Sequence, residues 1–383
     1  VSTATVANPL GVLVSQGQTG TSYDPGRLEL GQTYYWRVDE VNGAPDNTVF
    51  TGNVWSFTVE PYSYVVANVV ATTSGISDAG AGPENTVNGS GLDANGQHSN
   101  VPSDMWLAAP DGDTPLWIQY EFERILKLDA MRVWNYNAQF EAILGFGVKD
   151  ATVEYSVDGT EWVLLGDVVL DQATGNSAQT MTSEVDLGGI AAKYVRLTVN
   201  SGWGAMATAK YGLSEVQFTY VPAFARQPQP ASGSANLAPE VSLSWRPGRE
   251  AAQHNVYLDT DEQAVIDGTA SVIAVDEPEY DASLELGQTY YWKVDEVNDA
   301  EEPAVWTSEV WNFSVAESVV VEDFETYDDD ENVIYETWID GWIDESLGGS
   351  TVGYFEAPFT ETTLAHSSDE SMPFAYDNTG DFS

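Results

Sequence analysis

Residues 28–42 read LELGQTYYWRVDEVN and residues 284–298 read LELGQTYYWKVDEVN, the same sentence with one basic-for-basic exchange, Arg37 against Lys293. Within each copy the run TYYW(R/K)VDEV suits a strand, whose successive side chains point to opposite faces. In the second copy Tyr290, Trp292, Val294 and Glu296 share one face, and Tyr291, Lys293 and Asp295 the other. Trp292 and Val294 are therefore expected in a core. Further short runs surround that copy: VSLSW, HNVYL, SVIAV and VWNFSV, broken by Gly, Pro, Asp and Asn. Short strands at this spacing predict a small β-sandwich over residues 226–316. The stretch QPQPASGS at its start reads as a linker.

The first copy aligns only in its later half. VLVSQGQTGTSYDPGRLELGQTYYWRVDEVN and VWSFTV have counterparts, but nothing before them corresponds to VSLSWRPGREAAQHNVYL. An open sandwich is an aggregation hazard. Residues 1–60 are accordingly expected to be the C-terminal part of a domain whose opening strands lie upstream. The repeated sentence is then a spacer, used once on each side of residues 62–221.

A chain of 383 residues predicts two to four domains. Its 13 Trp, 19 Tyr and 13 Phe lie with Val and Thr in short runs, and no long stretch has helical periodicity, which together predict an all-β protein. Sixty acidic residues against thirteen basic ones give a net charge of −47, which excludes charge-driven binding of nucleic acid or an anionic membrane. Such acidity suits a secreted protein in salty water, and it supplies oxygen ligands for Ca²⁺. With no cysteine there is no disulfide and no thiolate chemistry. No apolar stretch approaches the ~18–20 residues of a membrane span, so no membrane insertion is expected. The opening VSTATVANPLG has neither the basic start nor the apolar centre of a signal peptide. The chain is thus expected to be an internal piece of an exported protein, extracellular or at the cell surface.

The middle is the most informative part. ATTSGISDAGAGPENTVNGSGLDANGQHS is loop-like, LWIQYEF and KLDAMRVWNYN read as strands, and KDATVEYSVDGTEWVLLG as a hairpin with an Asp-Gly turn. PENTVNGSGLD, MW at 105–106, WIQYEF at 117–122, VEYSVDGTEW at 153–162, KYVRLT at 193–198 and GLSEVQF at 212–218 follow in order. In these motifs residues 62–221 resemble the F5/8 type C, or discoidin, domain, the fold also called a family 32-type carbohydrate-binding module. The resemblance implies an eight-stranded jelly-roll sandwich that binds sugars, or in some members lipids or proteins, through loops at one end. Residues 226–316 resemble a fibronectin type III-like domain, which makes 1–60 the C-terminal part of another. Residues 317–383 resemble the start of a galactose-binding-like or laminin-G-like jelly roll. The fold expected is a row of tandem β-sandwiches.

The discoidin resemblance implies a structural calcium held by the first loop and a Glu near the last strand. The matching residues are Asn88, Asp93 and Glu215. An Asx-rich turn satisfying its own backbone is the alternative reading of that loop. A sugar site needs an aromatic plate and polar groups for the hydroxyls. The loops NYNAQFEAILGFG (135–147) and NSGWGAMATAKYG (200–212) offer Asn137, Phe140, Glu141 and Trp203, and the first loop offers His98. Trp203 could equally be packing, and His98 a satisfied loop histidine.

Nothing points to catalysis. Among sixty acids, carboxylate pairs arise by chance and carry no weight. There is no GxSxG or HExxH, and His98, His254 and His366 fall in separate domains. DFETYDDDENVIYE (323–336) lacks the EF-hand pattern and reads as a solvated acidic loop. The expected function is a non-catalytic glycan-binding or adhesion segment of a large extracellular protein. The partner would be a glycan or polysaccharide, with neighbouring copies or other surface proteins as further candidates. A building block of a surface layer or fibre, and an accessory region of a polysaccharide-degrading enzyme, are the alternatives.

Overall fold

The computed structural model describes residues 13–204, 209–319, 323–341, 343–344, 350–365 and 369–375. Residues 205–208 of the second candidate loop, His366 and the C-terminal YDNTGDFS lie outside that set. The chain is all-β, with three one-turn α-helices among the described residues, α1 (Glu141–Leu144), α2 (Glu262–Ile266) and α3 (Ile334–Thr337). No helix among the described residues is long and apolar enough to cross a membrane.

The first unit holds β1 (Thr33–Trp36), β2 (Asp39–Val41), β3 (Val49–Thr51) and β4 (Trp55–Thr58), with β1 antiparallel to β4 and β2 antiparallel to β3.

The central module comprises β5 (Tyr64–Val65), β6 (Val70–Thr73), β7 (Ile76–Ser77), β8 (Trp106–Ala109), β9 (Trp117–Asn135), β10 (Val148–Ser156), β11 (Val163–Val169), β12 (Ser183–Gly202) and β13 (Tyr211–Val221). Its strands run in the order β11-β10-β12-β9-β13-β8-β7, with β6 on β9 and β5 on β13. Two strands of 19 and 20 residues, β9 and β12, make this possible. They pair over most of their length, from Ser183 opposite Val133 to Thr198 opposite Trp117, but slip register between Asp186 and Ile190 and again between Ala192 and Tyr194. Gly188 and Gly189 lie at φ of 66° and 75°, so the extra residues bulge where the long pair turns the corner of the sandwich. Side chains of β9 then fill one core: Ile118, Tyr120 and Phe122 before the bulge and Leu128, Met131 and Val133 after it are buried, packed with Leu197, Val216 and Phe218.

The third unit is a two-sheet sandwich. β14 (Arg226–Gln229), β16 (Glu240–Arg246) and β19 (Glu279–Ser283) face β15 (Ser234–Leu237), β17 (Gln253–Asp259), β18 (Val272–Val275), β20 (Thr289–Val297), β21 (Val305–Thr307) and β22 (Trp311–Val315). Trp292 and Val294 are buried, as their alternation requires, against Leu243, Trp245, Val256, Trp311 and Phe313. Lys293, placed by alternation on the outer face, is buried too, because α2 covers that face. Its Nζ donates to Ile266 O at 3.0 Å and lies 4.9 Å from the Tyr257 ring centre. In the C-terminal segment β23 (Thr351–Val352) pairs with β24 (Phe374–Ala375), and Tyr327, Ile334 and Val352 are buried together.

The stretch QPQPASGS is not a flexible connection. Arg226–Gln229 is strand β14, paired with β16, and the link before it is buried at Ala223, Phe224 and Ala225. Arg124 lies 3.4 Å over the Phe224 ring, and Trp306 of the third unit packs on the central core. Arg249 donates to the carbonyls of Tyr62 at 2.7 Å and Pro61 at 2.6 Å, and to Glu60 at 3.0 Å, where Arg226 and Arg246 also converge. Lys127 pairs with Glu250 and, at 2.8 Å, with Glu301. Arg124, Lys127, Arg226, Arg246 and Arg249, five of the thirteen basic residues of a strongly acidic chain, thus gather at one junction.

Candidate functional site

The candidate loops meet at one end of the central module. β9 ends at Asn135, and the chain turns through residues 136–147 before entering β10; β12 ends at Gly202 and leads into the Trp203 turn. The two turns touch closely. Trp203 N donates to Gly147 O at 3.2 Å and Gly204 N to Gly145 O at 2.8 Å. A Cβ on Gly145, at φ +66°, would fall 2.2 Å from Gly204 N, so this crossing requires glycine.

Asparagines brace the end from within. Asn137 is fully buried: its amide donates to Ser99 O at 3.0 Å and Asn176 O at 2.6 Å, and its Oδ1 accepts from Gly175 N at 2.8 Å. His98 is also fully buried; its backbone bridges to Gln179, and Nδ1 sits 3.0 Å from Ser99 O. Glu141 is buried with Oε1 accepting from Gly147 N at 2.7 Å and Oε2 without a hydrogen-bond partner. None of these three presents a surface to a sugar. They lie at the loop end and shape it from beneath, because each satisfies backbone groups that the irregular turns leave open.

Phe140 and Trp203 differ. Phe140 is 62% exposed and stands at φ +70°, the left-handed region that a bulky side chain avoids. Trp203 is 36% exposed; its Nε1 donates to Leu170 O at 2.9 Å, and Lys149 Nζ lies 5.4 Å from its ring centre. Ile143, 76% exposed, and Leu144 extend the apolar surface on α1. Ile143 and Lys149 were invisible in sequence. A one-turn helix has no periodicity to read, and Lys149 reaches Trp203 only through the pairing of β10 with β12.

Burial pushes the Glu141 carboxyl up to about 7, against the lowering by its backbone hydrogen bonds. Since the folded value lies above the ordinary one, the penalty for ionising Glu141 is absent below about pH 4.5, grows to about pH 7 and is complete above it. Glu141→Gln should therefore stabilise the module at pH 8 and change little at pH 4.5, a difference of about 1–2 kcal/mol. Urea unfolding at the two pH values reads this, and a variant with the parent's pH dependence would contradict it.

The residues matched to a calcium site divide. Glu215 is 3% exposed, raised to about 7 by burial, and holds a buried Oε2 with no hydrogen-bond partner beside the amide of Gly89. A buried carboxylate oxygen left without a donor is the kind of atom that a bound cation would satisfy. Asn88 Oδ1 instead accepts from Ser90 N at 2.8 Å, and Asp93 Oδ1 from Asn95 N at 2.8 Å and Gln97 N at 2.9 Å. Asp93 is therefore turned into its own Asx turn, whose hydrogen bonds lower its pKa, first that from Gln97. No group of three or more His, Cys, Asp and Glu gathers as a metal cluster among the described residues.

Residues 69–212 match the family model of the F5/8 type C domain. No curated protein matches the chain. Solved structures similar to it include a third CBM32 of a family 31 glycoside hydrolase from Clostridium perfringens, 16% identical over 42% of this chain and 95% of that one, with TM-score 0.32. An F5/8 type C domain from Bacteroides fragilis is 14% identical over 42% of this chain and 97% of its own, with TM-score 0.30. A family 89 glycoside hydrolase from Clostridium perfringens, in complex with GlcNAc-alpha-1,4-galactose, is 14% identical over 40% of this chain, with TM-score 0.28. The chain spans 14% of that enzyme's length.

Proposed function

We propose that the central module is a non-catalytic glycan-binding domain of an extracellular or surface protein, and that its loop end is the binding face. The observation that carries this reading is Phe140, an aromatic held exposed on a left-handed backbone at φ +70°. Such a conformation costs about 1–2 kcal/mol and persists where the surroundings enforce it, as at ligand clamps. Here the enforcing parts are Gly175, whose Cβ would crowd Phe140 N at 3.2 Å, and the buried Asn137 and Glu141. The match of residues 69–212 to the F5/8 type C domain supports the same reading.

In this reading Phe140 and Trp203 give the apolar plate for the C–H face of a sugar ring, and Lys149 a donor for its hydroxyls. His98, Asn137 and Glu141 hold the plate in place. Calcium, held by Glu215 and carbonyls of the 86–91 turn, would brace the first loop at the same end; Asp93 is not in this set.

The test is a glycan array probed with the full chain, with Ca²⁺ and with chelator. A bound glycan should be lost at least about tenfold in Phe140→Ala and in Trp203→Ala, with melting unchanged in Phe140→Ala, whose ring is exposed. Chelator should lower both glycan affinity and melting temperature, and Glu215→Gln should remove the calcium dependence. A folded chain silent across the array would overturn the glycan reading, and binding indifferent to chelator would overturn the calcium brace alone.

A further inference from the structure

The helix α1 is turned inside out. Of its residues Glu141–Leu144 only Glu141 is buried, whereas Ile143 and Leu144 face water, as does Phe140 just before them. A surface turn ordinarily buries its apolar side chains and leaves the carboxylate outside. Both ends of α1 are bent in the same way: Phe140 at φ 70°, ψ 17° and Gly145 at φ 66°, ψ 41° are left-handed. The four residues are a flap between two bends, and no apolar side chain of α1 anchors it.

What fastens the flap is polar. Glu141 N donates to Ala138 O at 2.9 Å, Gln172 Nε2 to Glu141 O at 3.0 Å, and Gly147 N to Glu141 Oε1 at 2.7 Å, while Oε2 has no hydrogen-bond partner. The end of β9 brings Asn135 and the buried Tyr136 toward this carboxyl. The Tyr136 hydroxyl is pushed up to about 12, first by burial, then by the charges of Glu141 and Asp78. Residues 170–175 supply Gln172 and Gly175, and the turn after β12 supplies Trp203 and Gly204, none of them charged. The lysines of this end are engaged elsewhere: Lys149 lies 5.4 Å from the Trp203 ring centre, and Lys210 pairs with Asp78 at 2.7 Å. An ionised Glu141 therefore has backbone amides on one oxygen and no donor on the other, in a dry site.

We propose that α1 is a pH-gated flap: with Glu141 neutral it lies closed and presents Phe140 to a sugar, and ionisation of Glu141 releases it about Phe140 and Gly145 and weakens glycan binding. The second half rests on the glycan reading of this end; the flap does not. Burial raises the Glu141 carboxyl to about 7 from an ordinary 4.5, which sets the window. Closure is at full strength below about pH 4.5, weakens as pH rises toward 7 and is weakest above it.

The test is hydrogen exchange of the full chain at residues 139–147 from pH 4.5 to 8.5, corrected for the intrinsic pH dependence of amide exchange. Opening should rise at least about tenfold between pH 5 and 7.5 and then level off, since one pKa unit is worth a factor of ten. Exchange at residues 118–122, in the core, should show no such step. Glu141→Gln, a neutral carboxyl in shape, should keep the parent's low-pH protection throughout. Tyr136→Phe, which removes the facing hydroxyl and keeps the carboxyl, should retain the step. A profile flat with pH in the parent, or a step of equal size in Glu141→Gln, would overturn the gate. The affinity for a glycan found on the array should fall at least about threefold from pH 5.5 to 8 in the parent and stay level in Glu141→Gln. A step in exchange with pH-indifferent affinity would overturn the link between flap and binding. A step in exchange from a chain silent across the array would support the flap and overturn the glycan reading instead.

Discussion

Trp292→Ala is expected to destabilise the third unit by about 3–5 kcal/mol, while Trp36→Ala, the same change in the same local sequence, costs about 1–1.5 kcal/mol. The difference lies wholly in what covers the ring. Trp292 is fully buried, edge-on to Trp311 at 4.8 Å and to Trp245 at 6.1 Å, and its loss leaves a cavity that a two-sheet core cannot close. Trp36 touches Trp55 but is half in water, so truncation forfeits about half the burial and leaves no enclosed cavity. The indole nitrogen of Trp292 is buried without a hydrogen-bond partner, which offsets part of the loss. A chain of several units does not unfold in one step, so the local readout is hydrogen exchange at 289–297 and 33–41. Equal costs at the two tryptophans would mean that the first unit is covered in solution.

This contrast marks what the sequence carries and what it does not. Alternation in TYYWKVDEV was enough to put Trp292 and Val294 in a core, because period-two patterning is a property of the strand itself. It put Lys293 on the opposite face, where it lies, but not its burial, which depends on α2, an element seated there by tertiary packing. The order of motifs from PENTVNGSGLD to GLSEVQF pointed to the central domain. The loop end was legible as a place but not residue by residue. Polar residues in loops read as ligands, whereas His98, Asn137 and Glu141 are inside, meeting the hydrogen-bond demand of backbone that no strand satisfies. Only their depth separates them from exposed residues such as Phe140, and depth in a loop leaves no periodic trace. The junction was read in the opposite sense to its structure. Proline and serine suggested slack, but the flanking β14 pairs with β16, and the arginines that lock Glu60 come from two stretches of chain, Arg226 in β14 and Arg246 with Arg249 at the end of β16.

That junction makes the last prediction. Lys127 is 6% exposed at the wall of the central module and bonded to Glu250 and Glu301 of the third unit. Burial alone would push its ammonium group down, but the hydrogen bonds and charges of the two carboxylates outweigh this and hold it above the ordinary lysine value. Lys127→Ala removes the one cation between two acids in a chain of net charge −47, leaving them to repel each other where water is partly excluded. The carboxylates are about a third exposed, which screens the repulsion, so the expected cost is about 2–3 kcal/mol rather than that of a fully buried pair. Lys127→Met keeps the apolar stem and separates the loss of packing from the loss of charge. The effect should fall on the coupling of the units rather than on either core. Calorimetry should show the central and third units melting nearer together in the parent and further apart in Lys127→Ala, with Lys127→Met close to Lys127→Ala if charge dominates. High salt should weaken the parent's coupling only modestly, because the ammonium is shielded from solvent ions. A Lys127→Ala profile that overlays the parent's would mean that Arg249, Arg124 and Trp306 hold the junction without it.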